Sequence, residues 1–282
     1  MKTIVTQIIP TVQGEGCSIG NLILLIRLGN CNLECDFCDS KWSNNLKPSD
    51  YSIFKDSMLP PFVITNENFD EFLKYIKTFL TILGLQTILI TGGEPFCHKE
   101  FLYKFIQKAP DEISNLKKIE IETNGTLIQT PDDVNILSNY YNPIPIQLNI
   151  SPKLDPKYYR SKSIQNLSEI VSFFDKNINY SAILSNSIIT CQFKLVHTQK
   201  TEDDVIQFAN YFLKKYNQKF CLYIMPLTPQ RAKYKSEINF LMAVKKNCTE
   251  TLKFCFLNNY SFTPRIQVWL FDQLKKDEKF GL

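Results

Sequence analysis

The chain lacks any apolar run approaching the ~20 residues needed to span a bilayer, so no membrane association is expected. Its first residues, Met1 to Val5, pass directly into Thr6 and Gln7, without the apolar core of a secretory leader. Charge of one sign is nearly balanced, 32 Lys and Arg against 28 Asp and Glu, and no basic block stands out. That balance argues against nucleic acid as a partner. Histidine is scarce, only His98 and His197, and no second Cys-x2-Cys or Cys/His half is evident to complete an ordinary zinc site. Internal repeats and long linkers are absent too. The 282 residues therefore read as a single domain over 1–282, long enough for a sizeable core.

Cysteine, by contrast, is plentiful. There are nine, an odd number, and three crowd into Cys31-Asn-Leu-Glu-Cys35-Asp-Phe-Cys38. This usage predicts a reducing, cytoplasmic compartment rather than a disulfide scaffold. A curled loop can turn three thiolates toward one metal centre. A [4Fe–4S] cluster is normally held by four cysteines, so three leave one iron open to an outside ligand. A zinc site or three core cysteines are the alternatives. The other six, Cys17, Cys97, Cys191, Cys221, Cys248 and Cys255, are scattered, and Cys191 and Cys221 are expected as small core residues.

Short apolar runs alternate with longer amphipathic segments. Strands are expected at 22–28, 87–91, 118–123, 146–150, 189–196, 220–225 and 265–270. Helices are expected at 67–83, 99–107, 132–141, 164–177, 202–216 and 232–258, the first from the period of Phe69, Phe72, Leu73, Ile76, Phe79 and Leu80. Such alternation predicts an α/β fold with a mostly parallel sheet, whose ligand sites collect at the carboxyl ends of the strands. Residues 42–61, polar and Pro-containing, read as an insertion.

Several chemistry-bearing residues fall at those strand ends. Gln13-Gly14-Glu15-Gly16 is either a simple glycine turn or a turn offering Gln13 and Glu15 to a ligand. Arg27, inside the apolar run 22–28, needs a partner, either a structural carboxylate or an anionic ligand held bidentately. Asp39 and Ser40 are turn residues or hard oxygen ligands suited to magnesium. Thr91-Gly92-Gly93-Glu94-Pro95 places paired glycines against a ligand, with Glu94 able to accept from an ammonium group. Glu122-Thr123-Asn124-Gly125 and Ser151-Pro152-Lys153 close the next two strands. His98 and His197 are assigned surface or capping roles, and Trp42 and Trp269 packing roles.

The cysteine spacing resembles the radical S-adenosylmethionine (SAM) enzymes. The ordered set Gln-Gly-Glu-Gly, Arg27, the cysteine loop with Asp39-Ser40, Thr-Gly-Gly-Glu-Pro, Glu-Thr-Asn-Gly, Ser-Pro-Lys and Phe193-Lys-Leu-Val196 is similar to the 7-carboxy-7-deazaguanine synthases, from about residue 5 to 270. The resemblance implies a modified, incomplete (β/α) barrel of about six strands, usually a homodimer. It implies conversion of 6-carboxy-5,6,7,8-tetrahydropterin to 7-carboxy-7-deazaguanine with loss of ammonia, on the route to queuosine. A 5′-deoxyadenosyl radical would take hydrogen from C6 of the pterin, fed by an external flavodoxin- or ferredoxin-like electron donor. Carried across, Cys31, Cys35 and Cys38 hold the cluster. Phe37, Asp39, Gly93, Glu94, Asn124, Ser151, Lys153, Met225, Pro226 and Thr228 contact SAM. Val12, Gln13, Gly14, Glu15, Arg27 and Thr91 meet the pterin, with Arg27 on its carboxylate, and Ser40 ligates Mg2+. No acid–base pair follows from the sequence.

Three departures from that family stand out. Its Gln-Pro after the sixth strand reads Met225-Pro226, its Gln-x-His reads Gln267-Val268-Trp269, and the chain continues to Leu282. Together they put the C-terminal wall of the substrate pocket in doubt. Two other classes remain open: a glycyl-radical activating enzyme, which needs neither Arg27 nor Ser40, and a zinc-binding interaction module, which gives no reason for residues 91–95 or 151–153.

Overall fold

The computed structural model describes residues 1–44, 46–54, 60–128, 132–138, 143–178, 180–216 and 221–269. Ten strands form one sheet: β1 (Lys2–Val12), β2 (Leu22–Leu28), β3 (Ser52–Ile53), β4 (Phe62–Thr65), β5 (Thr87–Gly92), β6 (Lys118–Thr123), β7 (Ile146–Ile150), β8 (Ile189–His197), β9 (Cys221–Pro226) and β10 (Ser261–Phe262). Their spatial order is β10-β9-β8-β7-β6-β5-β2-β1-β4-β3. From β2 to β10 every neighbouring pair is parallel, whereas β1 runs antiparallel to both β2 and β4. The sheet is open, with β10 and β3 as its edges, which is the incomplete barrel expected. Six parallel strands, β2 and β5 to β9, make its body.

The helices α1 (Phe69–Leu83), α2 (Lys99–Glu112), α3 (Asp132–Ser138), α4 (Leu167–Asn177), α5 (Tyr180–Ser185), α6 (Glu202–Tyr216) and α7 (Glu237–Asn258) supply the crossovers. Among the described residues none is long and apolar enough to cross a membrane. In α1 the residues at helical spacing, Phe69, Phe72, Leu73, Ile76 and Leu80, are buried. Phe72 meets the rings of Phe54 and Phe62 edge-on and those of Phe101 and Phe105 at a tilt, so this helix is fixed by aromatic packing. Gly84 ends it in the left-handed conformation, at φ 65°.

Local chemistry moved several boundaries. Asn166 accepts from the Glu169 amide and Ser236 from the Asn239 amide, so α4 and α7 begin later than their apolar patterns suggest. α2 runs on through Pro110 to Glu112. The expected strand at 265–270 is not one: residues 266–269 are helical, and the last strand is β10. The ends of the strand expected from 220 and of the helix expected to 141 lie outside the described residues, as do Leu270 and the C-terminal continuation to 282. Within the expected insertion, β3 extends the sheet by pairing in parallel with β4. Of the cysteines assigned to the core, Cys191 packs against it but Cys221 is exposed.

Candidate active site

The carboxyl ends of the parallel strands open into a cavity of about 730 Å³. Cys31, Cys35 and Cys38 lie on its wall, in the loop leaving β2. The loop is pinned from several sides. His98 Nε2 lies 2.7 Å from the Gly29 carbonyl, Asn30 Oδ1 accepts from the Leu46 amide at 2.9 Å, and Asn32 Nδ2 donates to Thr126 Oγ1 at 2.7 Å. His98 is thus a buried brace rather than a surface residue, and His197 is also buried, bonded to Thr251 and stacked on Phe254.

The paired glycines explain how the β5 end meets this loop. A Cβ on Gly92, at φ 134°, would sit 2.0 Å from the Leu28 carbonyl oxygen, and one on Gly93 would sit 1.7 Å from that of Asn30. Only glycines allow the two backbones to touch, through Gly93 N to Leu28 O at 3.1 Å and Glu94 N to Asn30 O at 2.8 Å.

All three loop cysteines are free thiols. Burial raises the Cys31 pKa to about 12 and also lifts that of Cys35. The donors that approach Cys31 Sγ, the Leu33 amide at 3.4 Å and Asn124 Nδ2 at 3.9 Å, suit a metal-bound thiolate. Among the described residues no three or more His, Cys, Asp or Glu side chains are already drawn together as they stand around a bound metal ion. Three cysteines in one loop leave a fourth coordination position of a [4Fe–4S] cluster open. Three free sulfurs facing one cavity fit the cluster.

Phe37, Asp39, Ser40, Gly93, Asn124, Ser151, Lys153, Met225, Pro226 and Thr228 line the same cavity, as do Val12, Gln13, Gly14, Glu15, Arg27 and Thr91. Glu94 is the exception. Fully buried, it accepts from the Phe96 amide (3.0 Å) and Thr123 Oγ1 (2.7 Å) through one oxygen, and from the Asn124 amide (2.7 Å) through the other. The bonds from Thr123 and Asn124 clamp β5 to β6, and Glu94 is not among the cavity-lining residues. Burial raises its pKa against these bonds.

Arg27 has no carboxylate partner among the described residues. Its Nε donates to Gln7 Oε1 at 3.0 Å, and its guanidinium lies 5.7 Å from the ring centre of Trp42. Burial lowers its pKa by more than the nearby Asp39 carboxylate raises it. Trp42 is therefore a half-exposed cover for this cation and not a core residue. Lys153 sits 5.8 Å from the Phe37 ring centre and donates to Ser151 Oγ at 3.2 Å. Ser40 Oγ faces the Gly92 carbonyl at 3.4 Å and Cys38 Sγ at 3.6 Å.

The sequence reading left out the ionic floor beneath these groups. Lys194 Nζ, fully buried, donates to Glu15 Oε2 at 2.7 Å and Glu122 Oε2 at 2.5 Å. Burial opposes the charge on Lys194, but the two carboxylates outweigh it and raise its pKa. Arg265 reaches Glu15 Oε1 at 2.7 Å, and Gln267 Nε2 donates to that oxygen at 2.8 Å. Against the effect of burial, Lys194 and Arg265 pull the Glu15 pKa well below the carboxylate range. Burial raises the Glu122 pKa against the pull of Lys194, with Glu15 adding to the rise. Lys194 carried a readable signal, a charge within the apolar run of β8. Arg265 did not. Arg265, Gln267 and Val268 supply the C-terminal wall that the sequence left in doubt.

Comparison with known proteins follows the same lines. The chain is 32% identical over 123 residues to the 7-carboxy-7-deazaguanine synthase of Clostridium acetobutylicum, covering 42% of this chain and 43% of that one. It is 31% identical over 187 residues to the synthase of Rickettsia prowazekii, covering 64% and 66%. These matches thus span less than two thirds of either relative. The crystal structure of QueE from Escherichia coli shares the fold, with a TM-score of 0.53 and 16% identity over 94% of both chains. The radical SAM superfamily profile matches residues 25–184, more than half of the chain and the part carrying the cysteine loop. With that loop goes a need for SAM and a [4Fe–4S] cluster: the chain belongs to the radical SAM superfamily.

Proposed function

We propose that the chain is a 7-carboxy-7-deazaguanine synthase, converting 6-carboxy-5,6,7,8-tetrahydropterin to 7-carboxy-7-deazaguanine with loss of ammonia. Arg27 carries the reading: a half-buried guanidinium without a carboxylate partner among the described residues, in the same cavity as the cysteine loop. A carboxylated substrate supplies the missing counter-charge in bidentate form. A glycyl-radical activating enzyme, acting on a protein backbone, has no use for it.

When bound, the cluster and SAM supply a carbon-centred radical by one-electron cleavage of the sulfonium. The residues of this chain bind, orient and exclude water. Cys31, Cys35 and Cys38 would hold the cluster. Phe37, Lys153, Ser151, Asn124 and the 225–228 wall would hold SAM, with Glu94 acting only through the strand ends it clamps. Val12, Gln13, Gly14, Glu15 and Thr91 would contact the pterin ring. Ser40 is proposed to ligate Mg2+, its hydroxyl being a hard donor beside the Gly92 carbonyl. The reading further takes in an outside flavodoxin- or ferredoxin-like reductant, a homodimer and a cytoplasmic location, the last in keeping with nine free cysteines.

The test is anaerobic reconstitution with iron and sulfide, then SAM, dithionite, magnesium and the carboxytetrahydropterin, followed by mass analysis. The expected product carries the 7-deazaguanine carboxylate and disappears in Cys35→Ala. SAM cleavage with an intact pterin would overturn the assignment of substrate, and uptake of zinc without iron would overturn the whole reading.

A further inference from the structure

We infer that Arg265 is a positioning residue that locks the substrate-side turn to the cluster loop. Its three donor nitrogens reach three separate segments: Nε to Glu15 Oε1 at 2.7 Å, Nη1 to Thr228 Oγ1 at 2.6 Å and Nη2 to Asp39 Oδ2 at 2.6 Å. Glu15 belongs to the turn before β2, Asp39 follows the third cluster cysteine, and Thr228 lies just beyond β9. The planar fork can hold all three at once, which a lysine ammonium on a flexible stem cannot do with fixed geometry.

The segment bearing Arg265 is itself tied to that turn. The Gly16 amide donates to Thr263 Oγ1 at 2.7 Å, the Ile266 amide to the Gly14 carbonyl at 3.1 Å, and Gln267 Nε2 to Glu15 Oε1 at 2.8 Å. Residues 263–267 therefore move with the turn, and Arg265 is their link to the cluster loop. Without that link the turn and the loop keep their own folds but lose a fixed separation. The bound substrate's reacting carbon then sits less well placed for hydrogen abstraction. This consequence rests on the synthase reading, but the clasp itself does not.

Two measurements separate them. Hydrogen–deuterium exchange on the metal-free chain compares wild type, Arg265→Gln and Arg265→Lys. Faster exchange limited to the tethered segments, residues 14–16, 39–40, 228 and 263–267, is expected in Arg265→Gln, with partial protection restored by Arg265→Lys. Unchanged exchange in both variants would overturn the clasp whatever the enzyme does. In the reconstituted protein, Arg265→Lys is expected to raise KM for the pterin about tenfold, the scale of one charge-assisted hydrogen bond. More 5′-deoxyadenosine should form per product. An unchanged ratio and KM would overturn the coupling role. A wild-type protein that leaves the pterin untouched would overturn the synthase reading alone, because exchange still judges the clasp.

Discussion

Removing the Lys194 cation should expose how much the ionic floor holds the fold. In Lys194→Met a fully buried ammonium disappears from between two carboxylates at 2.7 and 2.5 Å. Glu15 keeps Arg265 and Gln267 as donors, so it is not stranded. Glu122 is left with Asn149 Nδ2 at 3.0 Å and a long contact to Gln13 at 3.4 Å. Breaking one side of a buried pair costs about 3–5 kcal/mol. Glu122 already has a raised pKa from burial and from Glu15, and without Lys194 it rises further and takes up a proton, which limits the loss. In the variant the folded state then binds more protons than the unfolded one, so stability falls as pH rises through the unfolded carboxylate range and above. The deficit against wild type should widen from about pH 5 to about pH 8, reaching ~3 kcal/mol at the higher value. Urea unfolding of the metal-free, reduced chain measures it. Adding Glu122→Gln should recover part of the loss, because the stranded charge is gone. A single variant within ~0.5 kcal/mol of wild type at about pH 8, or a deficit independent of pH, would refute the reasoning.

Arg27→Met should leave the metal-free chain as stable as wild type or about 1 kcal/mol more so, since a half-buried cation without counter-charge is removed; its KM for the pterin should rise by about 30-fold or more. Glu94→Gln should cost about 1–3 kcal/mol in urea unfolding, because one of three buried donors loses its acceptor. Cys35→Ser should fail to retain iron and the cluster absorbance on reconstitution, whereas Cys191→Ser and Cys221→Ser should hold as much iron as wild type. Lys194 and Arg265 depress the Glu15 pKa and Arg265 that of Asp39, so their stabilisation is present above the unfolded carboxylate value and is lost as pH falls below about 4; acid titration followed by circular dichroism measures it.

What could be read from the sequence was whatever its local neighbours determine. The cysteine loop, the paired glycines and Arg27 announced themselves by spacing or by a charge in an apolar run, and the structure brings them to one cavity. Lys194 obeyed the same rule as Arg27 and went unassigned. The clamp made by Glu94 could not be read, because its donors belong to Phe96, Thr123 and Asn124, two of them about thirty residues away across a strand pair. Residues 265–270 alternate in a way that suits a strand, yet the Ile266 amide is claimed by the Gly14 carbonyl and the segment turns helical. Strand β1 escaped notice for a related reason: its partly polar pattern matches a sheet in which only some of its residues are buried.

Charge accounting in the cavity narrows what can bind there. Among the described residues, two of its lining cations, Lys194 and Arg265, are bridged to carboxylates, while Arg27, Lys153 and Arg231 are not. Arg231 is exposed and solvated. Arg27 and Lys153 are half-buried, and each leans on an aromatic ring. A desolvated cation resting on a ring gains about 2 kcal/mol, less than the several kcal/mol that desolvating its charge costs, so each side chain favours a ligand that brings a negative charge. Two such positions in one cavity fit two anionic groups bound together, one on the Arg27 side beside the Gln13–Glu15 turn and one on the Lys153 side beside Phe37 and Ser151. A carboxylated pterin and the carboxylate of SAM meet that requirement as a pair. A neutral substrate would leave Arg27 with no ion pair among the described residues, only the longer-range pull of Asp39.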